Sequence, residues 1–262
     1  MVFGERIPIK TRREVEAMRE ANRHVAEILL ELRKLVEPGI TTADLDAYAA
    51  SAIKERGVES SFLGYSPNGM PRFPAVLCVS VNEEIVHGIP GPKRLEEGDI
   101  VGVDFGVSVD GYHGDSAVTV PVGEVCDSTR HLLDVTSRAL DAAIATMHPG
   151  NRLSDIGHAV QQSVESEGFT VVRVFAGHGI GSRLHEPPWI PNYGAPGRGP
   201  RLMPGMVFAV EPMVNVGTAD VEMLDDEWTA VTLDGSLSAH FEHTIMITED
   251  GPDVLTRVLG SH

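Results

Sequence analysis

Four acidic residues stand inside apolar runs that read as β-strands. Asp104 is embedded in Ile100-Val-Gly-Val-Asp-Phe-Gly-Val107 and Asp115 in Gly111-Tyr-His-Gly-Asp-Ser-Ala-Val118. Glu211 lies in Val207-Phe-Ala-Val-Glu-Pro-Met213 and Glu242 in Ala239-His-Phe-Glu-His-Thr-Ile-Met246. A carboxylate in such a setting is costly unless a proton or a cation neutralises it. One such acid reads as solvent-facing. Four together point to divalent cations, because carboxylates can bridge two ions about 3.5–4 Å apart. Histidine supplies a further ligand type. Ala176-Gly-His-Gly-Ile-Gly-Ser-Arg-Leu-His-Glu-Pro187 carries His178 and His185 among glycines that permit close approach, and Asn82-Glu-Glu-Ile-Val-His-Gly-Ile-Pro90 carries His87. One imidazole among four carboxylates favours manganese, iron or cobalt over a closed structural zinc site. Two such cations would activate water for hydrolysis near neutral pH. His24, His131, His148, His158 and His262 read as surface or core residues.

These side chains need a frame. Asp104 and Asp115 sit on the two arms of a hairpin that turns at Val109-Asp110-Gly111. Partners across an even-numbered loop have residue numbers with an odd sum. The pair 104 and 115 meets that condition, so both carboxylates are expected on one face. Helices are predicted from about Thr11 to Glu37, opened by a Thr11-x-x-Glu14 capping box, and from Thr42 to the stop at Gly57. Two more run from about Ser128 to Met147 and from Ser154 to Glu167, ending at Gly168. Strands are predicted over Val76 to Val81, Ile100 to Val107, Ala117 to Val120, Thr170 to Phe175, Met206 to Val216, Trp228 to Leu233 and His240 to Thr248. The Pro- and Gly-rich stretch from His185 to Met203 reads as a long connector. A shift of 111 residues lays Pro38-Gly39 on Pro149-Gly150 and Gly57-Val58 on Gly168-Phe169. The fold class is therefore α+β, with residues 1–262 forming a single domain of two similar halves, about 1–122 and 123–262.

Composition narrows the function classes. The chain has 262 residues, with 21 Lys plus Arg against 38 Asp plus Glu and a net charge of −17. That charge disfavours a nucleic-acid partner. No apolar run approaches the roughly 20 residues of a membrane span, and no secretory segment opens the chain. With only Cys78 and Cys126 for disulfides, a cytoplasmic location is expected. The basic cluster Lys10, Arg12, Arg13, Arg19 and Arg23 reads as a solvated helix face, with transient ribosome contact as the alternative.

Taken in order, Asn82…His87-Gly-Ile-Pro, Asp104-Phe-Gly…Gly-Tyr-His-Gly-Asp115, Gly177-His-Gly-Ile-Gly…His185-Glu-Pro, Pro204-Gly-Met…Glu211-Pro and His240-Phe-Glu-His243 resemble the type I methionine aminopeptidases. The resemblance implies the pita-bread fold, a curved antiparallel sheet core of two pseudo-symmetric halves with helices outside. It implies removal of the N-terminal methionine of nascent chains, with small second residues preferred, and Val2 of this chain is itself small. It further implies Asp104, Asp115, His178, Glu211 and Glu242 as ligands of two divalent cations (cobalt, manganese, iron or zinc), with Asp115 and Glu242 bridging. Glu211 would also shuttle the proton, and His87 and His185 would contact the substrate around the scissile bond. Tyr65, Cys78 and Trp228 match pocket walls. Leu184 stands where the family carries an aromatic residue, and Ser66 to Pro74 is longer than in the shortest bacterial members, so the rim and pocket are expected to differ there. The resemblance is to the compact bacterial form, without a Cys/His-rich extension or a large helical insertion, acting as a monomer. A Pro-directed peptidase of the same fold and a non-catalytic binding protein are the rival readings.

Overall fold

Thr11 opens the first helix, α1 (Arg12–Leu35). Its hydroxyl accepts from the Glu14 amide while its own amide donates to the Glu14 carboxylate. The computed structural model describes residues 6–257, so Val2 and His262 lie outside the described residues. A second capping box at Thr41 starts α2 (Thr42–Arg56), which stops at Gly57 in a left-handed conformation that suits a residue without Cβ. Helices α3 (Asp127–Ala145) and α4 (Leu153–Glu165) follow later in the chain. All four correspond to helices expected from periodicity.

Strands Ile100–Val109 and Tyr112–Pro121 form a hairpin whose two turn residues, Asp110 and Gly111, have φ of 50° and 76°. The register sets Asp104 opposite Ala117 and Asp115 opposite Gly106. Alternation then brings both carboxylates to one face, as the odd-sum condition requires. Cys78–Val81 and Glu59–Ser60 pair with the other edge of Ile100–Val109, and Cys78 falls opposite Asp104. A five-stranded antiparallel sheet runs in the order Gly251–Val254, His243–Thr248, Val207–Val210, Ala176–Gly179, Glu186–Pro191. Two three-stranded ribbons complete the sheets. One joins Ser238–His240, Met213–Asn215 and Thr170–Val171; the other joins Val221–Met223, Ala230–Thr232 and Glu84–Val86.

Several expected strands differ from those observed. Met206 to Val216 breaks at Glu211-Pro212, and His240 to Thr248 breaks at Phe241-Glu242. The two breaks face one another, and the Phe241 amide donates to the Pro212 carbonyl at 3.3 Å. Pro212 has no amide hydrogen to continue the ladder. Both segments therefore leave the five-stranded sheet at one level and pair again as Met213 with His240. Thr170 to Phe175 is strand only over Thr170–Val171, and the expected connector after His185 begins instead with the edge strand Glu186–Pro191.

Two apolar cores support this frame. Val25, Ile28 and Leu32 of α1 and Leu45 of α2 pack with Val101, Val103 and Phe105 of the hairpin. Leu132 and Leu140 of α3 and Ile156 and Val160 of α4 pack with Phe208, Val210 and Ile245. Each such buried side chain contributes roughly 1.5–3 kcal/mol. Gly157 lets α4 sit directly on the edge strand, since a Cβ there would fall 1.9 Å from the Pro191 carbonyl oxygen. Local pairings also recur along the chain. The Gly39 amide donates to the Leu95 carbonyl and the Gly150 amide to the Leu202 carbonyl. Likewise Glu59 pairs with Ser108 and Thr170 with Asn215.

The seam between the two cores carries the acids. Ser116 Oγ donates to the Glu242 carbonyl at 2.6 Å, and the Glu242 amide donates to the Ala117 carbonyl at 2.9 Å. Thr244 Oγ1 donates to the Asp115 carbonyl and Thr119 Oγ1 to the His240 carbonyl, both at 2.8 Å. Asp115 and Glu242 are thus held side by side by the backbones that carry them.

Candidate metal centre

Strands of both cores end on one cavity of about 620 Å³. Asp104, Asp115, His178, Glu211 and Glu242 line it, as do His87, His185, Tyr65, Cys78 and Trp228. Every residue nominated from the sequence for ligation, catalysis or the pocket therefore faces the same space. Leu184 lines it too, with Phe62, Phe73 and Met70. His24, His131, His148 and His158 do not.

Asp115, His178 and Glu242 are buried, and each offers a ligand atom within 4.8 Å of those of the other two. Glu211 joins them through His178, whose Nε2 lies 3.5 Å from its Oε1. Asp104 and Glu211 keep part of their surface open to the cavity. Glu211 and Glu242 occupy the two strand breaks rather than regular strand positions, and both line the cavity. The donor set passes a structural test for cations. Asp104 Oδ1, Asp115 Oδ1 and Glu242 Oε1 are buried without a hydrogen-bond partner. Burial pushes Asp104 up to about 7, opposed by His240, and Glu211 up to about 7, opposed by His178. Burial, then the neighbouring acids, raises Asp115 and Glu242 well above the usual carboxylate range. Four acids that cannot all ionise together, beside a neutral imidazole, make an oxygen-rich site suited to hard or borderline divalent cations.

His185 lies over His178, with ring centroids 4.2 Å apart. Its Nδ1 is hydrogen-bonded by the hydroxyl of Tyr65. Burial, reinforced by Asp115, raises the Tyr65 phenol, so it stays protonated. Burial, then His178, pushes His185 down to about 2, so the ring is neutral. The sequence presented Tyr65 only as a pocket wall; the structure adds this contact. His87 has φ of 61°, an uncommon conformation for a residue with a side chain, and its ring meets Phe175 and Trp228 edge-on. Burial, then His240, holds it down at about 4.

Two contributors had no role assigned from sequence. His240 is buried with Nε2 lacking a hydrogen-bond partner, 3.6 Å from Glu211 Oε2. Its position two residues before Glu242 was a usable signal, because strand alternation tends to put such a pair on one face. Lys10, expected on a solvated helix face, is instead buried in an ion pair with Glu186. Glu186 also accepts from Ser182 Oγ and the Arg183 amide, which ties down the segment leading to His185. Arg12, Arg19 and Arg23 do stay on the outer face, paired with Glu16, Asp253, Glu20 and Glu27.

Residues 16–249 match the model of metallopeptidase family M24. The chain belongs to that family. Among its M24 relatives, methionine aminopeptidase 1 of Bacillus subtilis (strain 168) is 55% identical over 249 residues, which covers 95% of this chain and 98% of that protein. The crystal structure of methionine aminopeptidase from Thermotoga maritima superposes with a TM-score of 0.93 at 48% identity, covering 97% of this chain and all of that one. Prolidase from Pyrococcus furiosus shares the M24 fold at a TM-score of 0.75 and 22% identity, and this chain covers 65% of it. The pita-bread architecture is thus the observed one, with mixed helices and antiparallel sheets. Among the described residues no helix is long and apolar enough to cross a membrane.

Proposed function

We propose that this M24 chain is a methionyl aminopeptidase that removes the N-terminal methionine of nascent proteins, preferring a small second residue. The observation that carries the reading is the convergence of unpartnered, buried carboxylate oxygens and one imidazole at the end of an apolar-walled cavity. Asp104, Asp115, His178, Glu211 and Glu242 would hold two divalent cations. Cobalt, manganese, iron or zinc fits this donor set. Cations bound there would acidify water and polarise the scissile carbonyl.

The chain's own groups supply the remaining steps. Glu211 takes a proton from the attacking water and returns it to the leaving amine. His185 donates its Nε2 hydrogen to the carbonyl oxygen as negative charge develops there. His87 hydrogen-bonds the scissile amide nitrogen. Phe62, Tyr65, Phe73, Cys78, Leu184 and Trp228 wall a pocket for an unbranched thioether, which gains from contact with aromatic rings. The recurring pairings support a single catalytic domain of two similar halves, about 1–122 and 123–262, with the site on the seam. We further infer a cytoplasmic monomer that acts on nascent chains, with at most transient ribosome contact through the α1 arginines.

Glu211→Gln should abolish turnover of Met-Ala-Ser while leaving the circular dichroism spectrum unchanged. Near-normal turnover in that variant would remove the proton shuttle. Stripping with EDTA should likewise eliminate activity, manganese or cobalt should restore it, and Ala-Pro peptides should remain uncut.

A further inference from the structure

Trp189 is the largest exposed apolar side chain at the mouth of the cavity, with 67% of its surface open to solvent. It belongs to the edge strand Glu186–Pro191 and pairs in register with His178. Cross-strand partners share a face. Trp189 therefore stands on the cavity side of the sheet, whereas the next residue, Ile190, enters the core on the opposite side. Its ring stacks on His185, at 6.4 Å between centroids and 28° between planes. His178, His185 and Trp189 thus form a file of rings leading from the acid cluster to solvent. Val174 and Met223 line the same cavity and are 67% and 45% exposed. Large apolar side chains gathered on the rim of a cavity mark a binding surface more often than scattered ones do.

We propose that Trp189, with Val174 and Met223 lining the same cavity, forms a platform for the side chain of the substrate's third residue and selects a large apolar group there. The inference rests on the methionine-removing reading of the cavity. If His185 lies beside the scissile bond, an extended peptide advancing about 3.3 Å per residue covers the 6.4 Å to the Trp189 ring in about two steps, which reaches residue three. The second residue, nearest the acids, is then the one confined to small side chains. The third emerges onto an aromatic surface.

The test compares Met-Ala-Phe and Met-Ala-Ser amides on the manganese-loaded enzyme. The expected kcat/KM ratio in favour of Phe is about three- to tenfold, the range of one aromatic pair. Trp189→Ala should bring the ratio to about one, and Trp189→Phe should keep most of it. An equal ratio in the parent and in Trp189→Ala would overturn the platform while leaving methionine removal standing. Failure of the parent to cut either peptide would overturn the underlying reading, and the platform with it.

Discussion

Asp104 should weaken the metal-free fold as the pH rises from about 4 to 7, by an amount set by its two titration points. Its carboxyl ordinarily titrates at 3.8 and burial holds it at about 7 in the fold. Between those values the folded chain keeps a proton that the unfolded chain has released. The contribution of this group is fully present below the unfolded value, falls as pH rises through the window, and is gone above about 7. Three pH units at 1.36 kcal/mol each give about 4 kcal/mol. That is a large part of the roughly 5–15 kcal/mol that holds a typical domain, and equals about 8–16 °C in Tm. His87 and His185, kept neutral down to about 4 and about 2, act in the opposite direction, because protonation of the unfolded chain below its ordinary histidine value draws the equilibrium away from the fold. The readout is therefore a difference. Urea unfolding of EDTA-treated parent and Asp104→Asn should show the parent losing about 4 kcal/mol relative to the variant between pH 4 and pH 8, and manganese should erase most of that loss in the parent. A pH-independent difference would refute the claim that Asp104 is ionised at a cost in this site.

Other perturbations separate the supporting contacts. Lys10→Met leaves Glu186 buried without its partner and should cost about 3–5 kcal/mol by urea unfolding, with most of the loss recovered in the Lys10→Met/Glu186→Gln double variant. No recovery would show that the ion pair is not the reason Lys10 matters. Tyr65→Phe removes one hydrogen bond to a neutral imidazole and should lower kcat/KM about two- to tenfold. In the same variant the ¹⁵N shifts of His185 should lose the signature of a single Nε2–H tautomer; unchanged shifts would mean that Tyr65 does not set it.

Much of the frame is written locally. The Thr11–Glu14 box, the stop at Gly57 and the Asp110-Gly111 turn each depend on a few adjacent residues, so they are readable without a fold. The common face of Asp104 and Asp115 follows from the same locality, since a two-residue turn sets the register and the register sets the face. The strand breaks at Glu211-Pro212 and Phe241-Glu242 were hidden, because apolar composition runs straight through both. Only the re-pairing of two distant segments decides where the ladder switches sheets. The burial of Lys10 escaped for a related reason: its spacing suits a solvated helix, and its partner Glu186 is 176 residues away.

Local order is enough to show which residue types could bind cations, which helices and hairpin carry them, and which face the first two acids share, because periodicity and turn chemistry act over a few residues. The meeting of the four acids comes instead from long-range pairing. That depends on hydrogen bonds such as Ser116 to Glu242 and Thr244 to Asp115, which join strands more than a hundred residues apart. Tertiary structure likewise set the contact of Tyr65 with His185 and the place of Trp189 at the mouth, since both follow from which distant ring or strand lies alongside.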